Sequence, residues 1–247
     1  MYRPAFDGEN QTGPGGKMKV SIIIPFYNEE ENVASVLAET RRTNPEAEIV
    51  AVNDGSSDQT EALIRQHPDV RLISLGRNLG QSAALYAGLT AAQGEVCVMM
   101  DGDGQSDPAD IPGLVSQLDG ADLVCGYRRI RQDSWSRRGA SRIANFIRRM
   151  VLHDGVRDTG CTLKAMKKAD ARLLVPFNGL HRFLPAFFNH AGRRIVEVPV
   201  NHRPRQHGTT KYTNLGRARR GFYDLIGVRW LLGRRIKWPK EGDVPRP

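Results

Sequence analysis

The segment Asp101-Gly102-Asp103-Gly104-Gln105 carries the side chains best suited to chemistry. It follows Val96-Cys97-Val98-Met99-Met100, an apolar run long enough for a buried strand. In an extended chain, residues two apart point the same way. Asp101 and Asp103 are therefore expected to project together from the strand's end, with Gln105 following. The glycines let a ligand come close to the backbone. Two carboxylates and an amide oxygen suit Mg2+ or Mn2+ holding a diphosphate. An acidic turn after a strand is the plain alternative, and these five residues alone leave the two even.

The flanking elements break that tie. Strands are expected at 19–25, 48–54, 70–75, 96–101 and 122–126. Between them the pattern predicts helices at 29–42, from Ser57 or Asp58 through Arg65, at 81–92 and at 108–118, the last capped by Asp107 ahead of Pro108. This alternation predicts an α/β fold with a mainly parallel sheet flanked by helices. Ligands bind such sheets at the carboxyl ends of the strands. Polar residues gather at three of those ends: Tyr27-Asn28-Glu29, Asn53-Asp54 and the Asp101 segment. The coincidence favours a binding site over a simple turn. Neither G-x-G-x-x-G after a strand nor G-x-x-x-x-G-K-[ST] occurs, which argues against a dinucleotide fold and a P-loop.

Charge divides the chain. Up to Tyr127 there are 8 Lys and Arg against 19 Asp and Glu; from Arg128 onward there are 28 against 8, for a net +9. The acidic part suits a metal, and the basic part suits a nucleic acid, a nucleotide or an anionic lipid. Beyond Tyr127 a helix is expected at 136–152, with Ile143, Phe146, Ile147 and Met150 facing the protein or a lipid. A strand at 162–166, a helix at 180–190 and a strand at 194–200 follow. Residues 202–211 form a basic loop that is solvated, disordered or ordered by an anion. An amphipathic helix at 213–237 sets Trp230 and Trp238 among arginines. That pattern fits a helix on an anionic membrane surface, the alternative being packing on the core or a second subunit. Residues 1–17 read as a flexible tail, 18–212 as the main domain and 213–247 as the helical tail. No apolar run is long enough to span a bilayer. Cys97, Cys125 and Cys161 suggest reduced thiols rather than a disulfide framework or a zinc site. A cytoplasmic protein held peripherally at the inner face of a membrane is therefore expected.

Four stretches together resemble the family 2 glycosyltransferases of the GT-A fold, a Rossmann-like architecture. They are VSIIIPFYNEEE from Val20, VNDGSSD from Val52, RNLGQSAALYAG from Arg77 and DGDGQ from Asp101. The resemblance covers roughly 19–212 and is nearest to dolichyl- and polyprenyl-phosphate mannose synthases. It implies transfer of one sugar from a nucleotide sugar, GDP-mannose or a UDP-sugar, to a dolichyl or polyprenyl phosphate. It implies that Pro25, Tyr27, Glu29, Val52, Asp54 and Gly102 line the nucleotide and that Asp101, Asp103 and Gln105 hold the metal. Arg128, Arg138 and Ser141 fall where relatives hold the acceptor phosphate. Arg205 and Lys211, in R-Q-H-G-T-T-K, fall where relatives close a loop over the donor. Many relatives have DADLQ where this chain has DGDGQ, so Gly104 departs from the pattern.

A phosphate acceptor is already ionised near neutral pH and needs no strong protein base. A sugar hydroxyl would need a carboxylate base. Transfer to a sugar hydroxyl in polysaccharide or glycolipid synthesis is the rival within enzymes. Its processive members carry Q-x-x-R-W, and here Ile226 stands where the glutamine belongs before Arg229-Trp230. The rival of another class is a non-catalytic nucleotide- or lipid-binding module. Nucleic-acid binding lacks any motif to support it.

Overall fold

The computed structural model describes residues 18–128, 146–204 and 214–234, without the side chains of 214–220. By internal contacts the chain forms two units, Met1–Lys211 and Tyr212–Pro247.

The first unit is built on β1 (Val20–Phe26), whose Ile22, Ile23, Ile24 and Phe26 are fully buried. A strand buried on both faces reads as a continuous apolar run, and VSIIIPF does. β2 (Glu48–Asn53) and β4 (Val96–Met99) pair parallel to either side of it. β3 (Val70–Ser74) extends the sheet beyond β2. The full order is β3-β2-β1-β4-β6-β5-β7, with β5 Leu123–Arg128, β6 Lys164–Lys167 and β7 Ile195–Val200. Every pairing is parallel except those of β6, which runs antiparallel to both β4 and β5. The expected mainly parallel α/β sheet is thus present.

The helices are α1 (Glu30–Thr43), α2 (Thr60–Ile64), α3 (Gln81–Ala91), α4 (Ile111–Ser116), α5 (146–152), α6 (Leu180–His190) and α7 (Asn214–Arg234). α1 buries Val33, Val36 and Leu37, as its spacing predicts. Two local expectations are corrected. The single helix at 108–118 is a 3-10 turn, then α4, then a second 3-10 turn, where Pro112 has no N–H for a helical bond and Gly113 weakens continuous helix; Asp107 does cap the first turn, accepting from the Ala109 N–H at 3.0 Å. Asp58 does not cap α2 as its N-cap residue, which is Gln59; its carboxylate instead accepts from the Thr60 and Glu30 N–H groups.

Phe146, Ile147 and Met150 on α5 are exposed, at 63%, 42% and 62%, so they do not face the protein core. The rest of the expected 136–152 helix lies outside the described residues. In the second unit, α7 exposes Phe222, Tyr223, Ile226 and Trp230 along one stripe. No described helix is long and apolar enough to cross a membrane. The three cysteines are free and buried.

Candidate active site

Parallel pairing sets the ends of β1, β2 and β4 side by side. Phe26 pairs with Asn53 and Ile23 with Met99, and the Asp54 and Met100 N–H groups donate to the Phe26 and Ile23 carbonyls. The polar clusters that follow therefore share one edge of the sheet. The antiparallel β6 adds to it. A strand running the opposite way begins where its neighbours end, so Lys164 pairs with both Met99 and Cys125, and residues 158–163 enter at the same edge. Arg128 closes β5 there, opposite Val200 at the end of β7.

β4 stops at Met99, and residues 102–104 are bends rather than extended chain. The alternation expected to align Asp101 and Asp103 is therefore not what brings them together. A turn does so. Gly104 adopts φ +74°, a conformation that β-carbon-bearing residues rarely take, and Asp103 Oδ1 accepts the Gln105 N–H at 3.1 Å. Gly102 is needed for another reason: a β-carbon there would lie 2.6 Å from the Phe26 ring and 2.7 Å from the Pro25 carbonyl. The missing side chain lets the Asp101 loop sit directly on the end of β1.

Asp101 accepts from the Gln81 carboxamide at 2.6 Å, at the first turn of α3. Burial pushes its carboxyl up to about 6, and the adjacent Asp103 charge adds to this; a Thr162 hydroxyl bond, Lys164 and Arg128 oppose it. Two carboxylates held so that one resists ionisation form a site that a divalent cation relieves. Among the described residues no group of three or more His, Cys, Asp and Glu side chains could hold a metal. Mg2+ and Mn2+ fit this arrangement, because one or two carboxylates suffice when diphosphate and water oxygens complete the shell. Gln105 also meets Arg203, through atoms other than the side-chain amide oxygen that a metal would take. Its carboxamide nitrogen reaches the Arg203 carbonyl at 3.4 Å, and its backbone carbonyl accepts the Arg203 N–H at 2.9 Å.

Arg128 is held in a two-pronged ion pair by Asp158, Nε–Oδ2 2.8 Å and Nη2–Oδ1 3.0 Å. Lys164 is buried, and its ammonium donates to the Thr159 carbonyl at 3.3 Å and to the Cys161 carbonyl. The other edge of the site is more tightly occupied than its sequence implies. Asp54 is buried, and its carboxylate accepts from the Leu79 N–H at 2.8 Å, the Gly80 N–H at 2.9 Å and the Asn78 carboxamide at 3.2 Å. Burial raises its pKa and those two N–H groups counter the rise. Val52 is fully buried, paired within the sheet between Pro25 on β1 and Ile73 on β3. Pro25 and Tyr27 are half-buried at the end of β1. Glu29 accepts from the Asn32 carboxamide at 2.6 Å.

Arg138, Ser141, Arg205 and Lys211 lie outside the described residues. The segment leading into 205–211 is anchored to the site. Arg203 forks onto Glu39 at 2.7 and 3.0 Å and meets Asp107 at 2.9 Å, and Ser106 bridges His202. Sequence reasoning did not single out Gln81, Asp158, Thr162, Lys164 or Arg203 for these contacts. Gln81 stands inside the RNLGQ stretch, and Asp158 was visible as an acidic residue before a strand. Nothing in the spacing announces Lys164.

The family model for Glycosyl transferase family 2 matches residues 21–174. The undecaprenyl-phosphate 4-deoxy-4-formamido-L-arabinose transferase of Edwardsiella ictaluri (strain 93-146) is 36% identical over 217 residues, which is 84% of this chain and 66% of the relative. That of Proteus mirabilis (strain HI4320) is 34% identical over 218 residues, 84% of this chain and 67% of the relative. The chain thus spans about two thirds of these relatives' length. Among solved structures, glucosyl-3-phosphoglycerate synthase from Mycobacterium tuberculosis with Mn2+ and UDP-glucose superposes with TM-score 0.67 at 22% identity, covering 86% of this chain and 79% of that one. The same enzyme with Mg2+ and UDP gives TM-score 0.67 at 21% identity, covering 87% and 78%. The shared architecture is the GT-A fold, and the chain belongs to glycosyl transferase family 2.

Proposed function

We propose that this protein transfers one sugar from a nucleotide sugar to a polyprenyl phosphate at a membrane surface, with Mg2+ or Mn2+ as cofactor. One observation carries the reading: at a single sheet edge, the Asp101–Asp103 carboxylate pair adjoins Arg128, in a chain 36% identical to an undecaprenyl-phosphate sugar transferase. The carboxylates suit the metal diphosphate of a donor, and the arginine suits the phosphate of an acceptor.

The roles follow from charge. Asp101 and Asp103 hold the metal, which when bound offsets charge on the leaving diphosphate. Gln81 orients Asp101 through its 2.6 Å bond. The end of β1 at Pro25 and Tyr27, with Glu29 and Asp54 beyond, borders the nucleotide. Arg128, fixed by Asp158, orients the acceptor phosphate oxygen for attack; Arg138 and Ser141 add to that phosphate site. Arg205 and Lys211 close over the donor and exclude water. The acceptor oxygen is already an anion, so no side chain has to remove a proton from it. Donor and acceptor classes are tested by incubating the protein with Mn2+, a panel of GDP- and UDP-sugars and undecaprenyl phosphate. Mass spectrometry is expected to find one glycosyl lipid phosphate. Nucleotide-sugar turnover only with hydroxyl acceptors, or none at all, would overturn the proposal.

A further inference from the structure

Lys164 is buried to 1% exposure, yet no described carboxylate forms an ion pair with it. A buried ammonium is costly unless its donors are satisfied. Here they are spent on the backbone, on the Thr159 carbonyl at 3.3 Å and on the Cys161 carbonyl. Those two residues belong to the segment between α5 and β6 that also carries Asp158, the partner of Arg128, and Thr162, whose hydroxyl bonds Asp101. That segment has no regular secondary structure of its own. The antiparallel direction of β6 places Lys164 at the point where the segment meets Met99 and Cys125.

We infer that Lys164 is a positioning residue: its ammonium gathers the 158–162 segment so that Asp158 keeps Arg128 oriented while Thr162 meets Asp101. One buried cation thereby ties the acceptor side of the site to the metal side without touching either substrate. The inference rests on the proposed transfer for its functional meaning, but the segment it organises belongs to the protein alone.

The test compares Lys164→Met with Lys168→Met in the full chain. Lys168 also donates to a backbone carbonyl, that of Ala92, but from outside the site, and so controls for the loss of a lysine–carbonyl contact. In Lys164→Met, amide hydrogen exchange over 158–162 is expected to rise at least 10-fold. Binding of farnesyl phosphate, measured by calorimetry, is expected to weaken at least 10-fold. Both should stay within twofold of wild type in Lys168→Met. Asp158→Asn combined with Lys164→Met should bind farnesyl phosphate no more weakly than the weaker single variant. Unchanged exchange in folded Lys164→Met, or fully additive losses with Asp158→Asn, would overturn the assignment. If Lys164→Met does not fold, Lys164→Gln, which keeps a donor for the carbonyls, carries the same comparison; failure of both to fold would reduce Lys164 to a stability residue and overturn it. Wild-type protein that binds no farnesyl phosphate, with exchange still rising in Lys164→Met, would defeat the proposed reaction while supporting the hold on the segment.

Discussion

Asp101 is the residue on which charge and burial conflict most. Its carboxyl is raised to about 6, from an ordinary value of 3.8, chiefly by burial and then by Asp103. Between those two values the folded chain holds a proton that the unfolded chain has released. Asp101 thus favours folding at low pH, and this contribution is lost as pH rises through about 6. A bound divalent cation reverses the balance by favouring the ionised form. Mn2+ should therefore raise Tm more at pH 7.5 than at pH 5.5, read by differential scanning calorimetry. Asp101→Asn should raise the Tm of the metal-free protein at pH 7.5 while lowering transfer about 100-fold or more, the scale of losing a main charge stabiliser. Asp103→Ala should lower transfer similarly, and full activity in chelator would refute the metal role. At Arg128 the expected loss is of another kind. Asp158→Asn leaves the guanidinium in place but weakens its fork, so KM for the lipid phosphate should rise more than kcat falls.

Two elements owe their placement to single contacts. The loop after β4 depends on Gly104 at φ +74°. Gly104→Leu restores the residue common among relatives at that position. It should nevertheless cost about 1–2 kcal/mol of stability here, seen as a lower denaturation midpoint, because a side chain is strained in that conformation. The packing of α6 on α3 depends on His181. Ser82 Oγ accepts the Gly179 N–H at 2.9 Å and shares a hydrogen bond of 2.8 Å with His181 Nδ1. Burial holds the imidazole down to about 3, with Arg182 and Lys164 adding to the effect. The unfolded chain protonates this group near 6.5, so its contribution to stability is complete above that pH and is lost as pH falls toward 3. His181→Gln should flatten the acid limb of a Tm-against-pH curve. The difference from wild type should not exceed about 1.4 kcal/mol per pH unit, the slope for one proton.

At the scale of the molecule, the acidic and basic parts meet where the sheet changes direction. The acidic part ends in β5, and the basic part begins with Arg128 on the same strand. Exposed apolar side chains occur on α5 and α7, both within the basic part, and each helix has exposed arginines beside them, Arg149 on α5 and Arg229 on α7. Aromatic and basic side chains together on a helix surface favour an anionic bilayer. The full chain should therefore co-sediment with vesicles containing phosphatidylglycerol and be released by about 1 M salt, which screens such charge. Phe222→Ser with Trp230→Ser should reduce that binding several-fold, while release of nucleotide from a soluble donor stays unchanged.

Much of this was legible in the chain itself. Continuous apolar runs at 20–26, 48–53 and 96–99 can be satisfied only by strands covered on both faces, and the alternation with helices then requires parallel crossovers. Parallel strands end at one edge, so Asp54 after β2 and Asp101 after β4 both had to follow strand ends that flank the end of β1. Tertiary structure decided what each polar group is used for. The Asp54 carboxylate is engaged by the Leu79 and Gly80 N–H groups, and the Gln105 amide nitrogen by the Arg203 carbonyl, because those partners arrive from elements distant in sequence, beyond the reach of any local pattern. The reversal of β6 was equally invisible. A four-residue strand has the same periodicity in either direction, and only its pairing with β4 and β5 brings Lys164, Thr162 and Asp158 to the edge where Asp101 and Arg128 already stand.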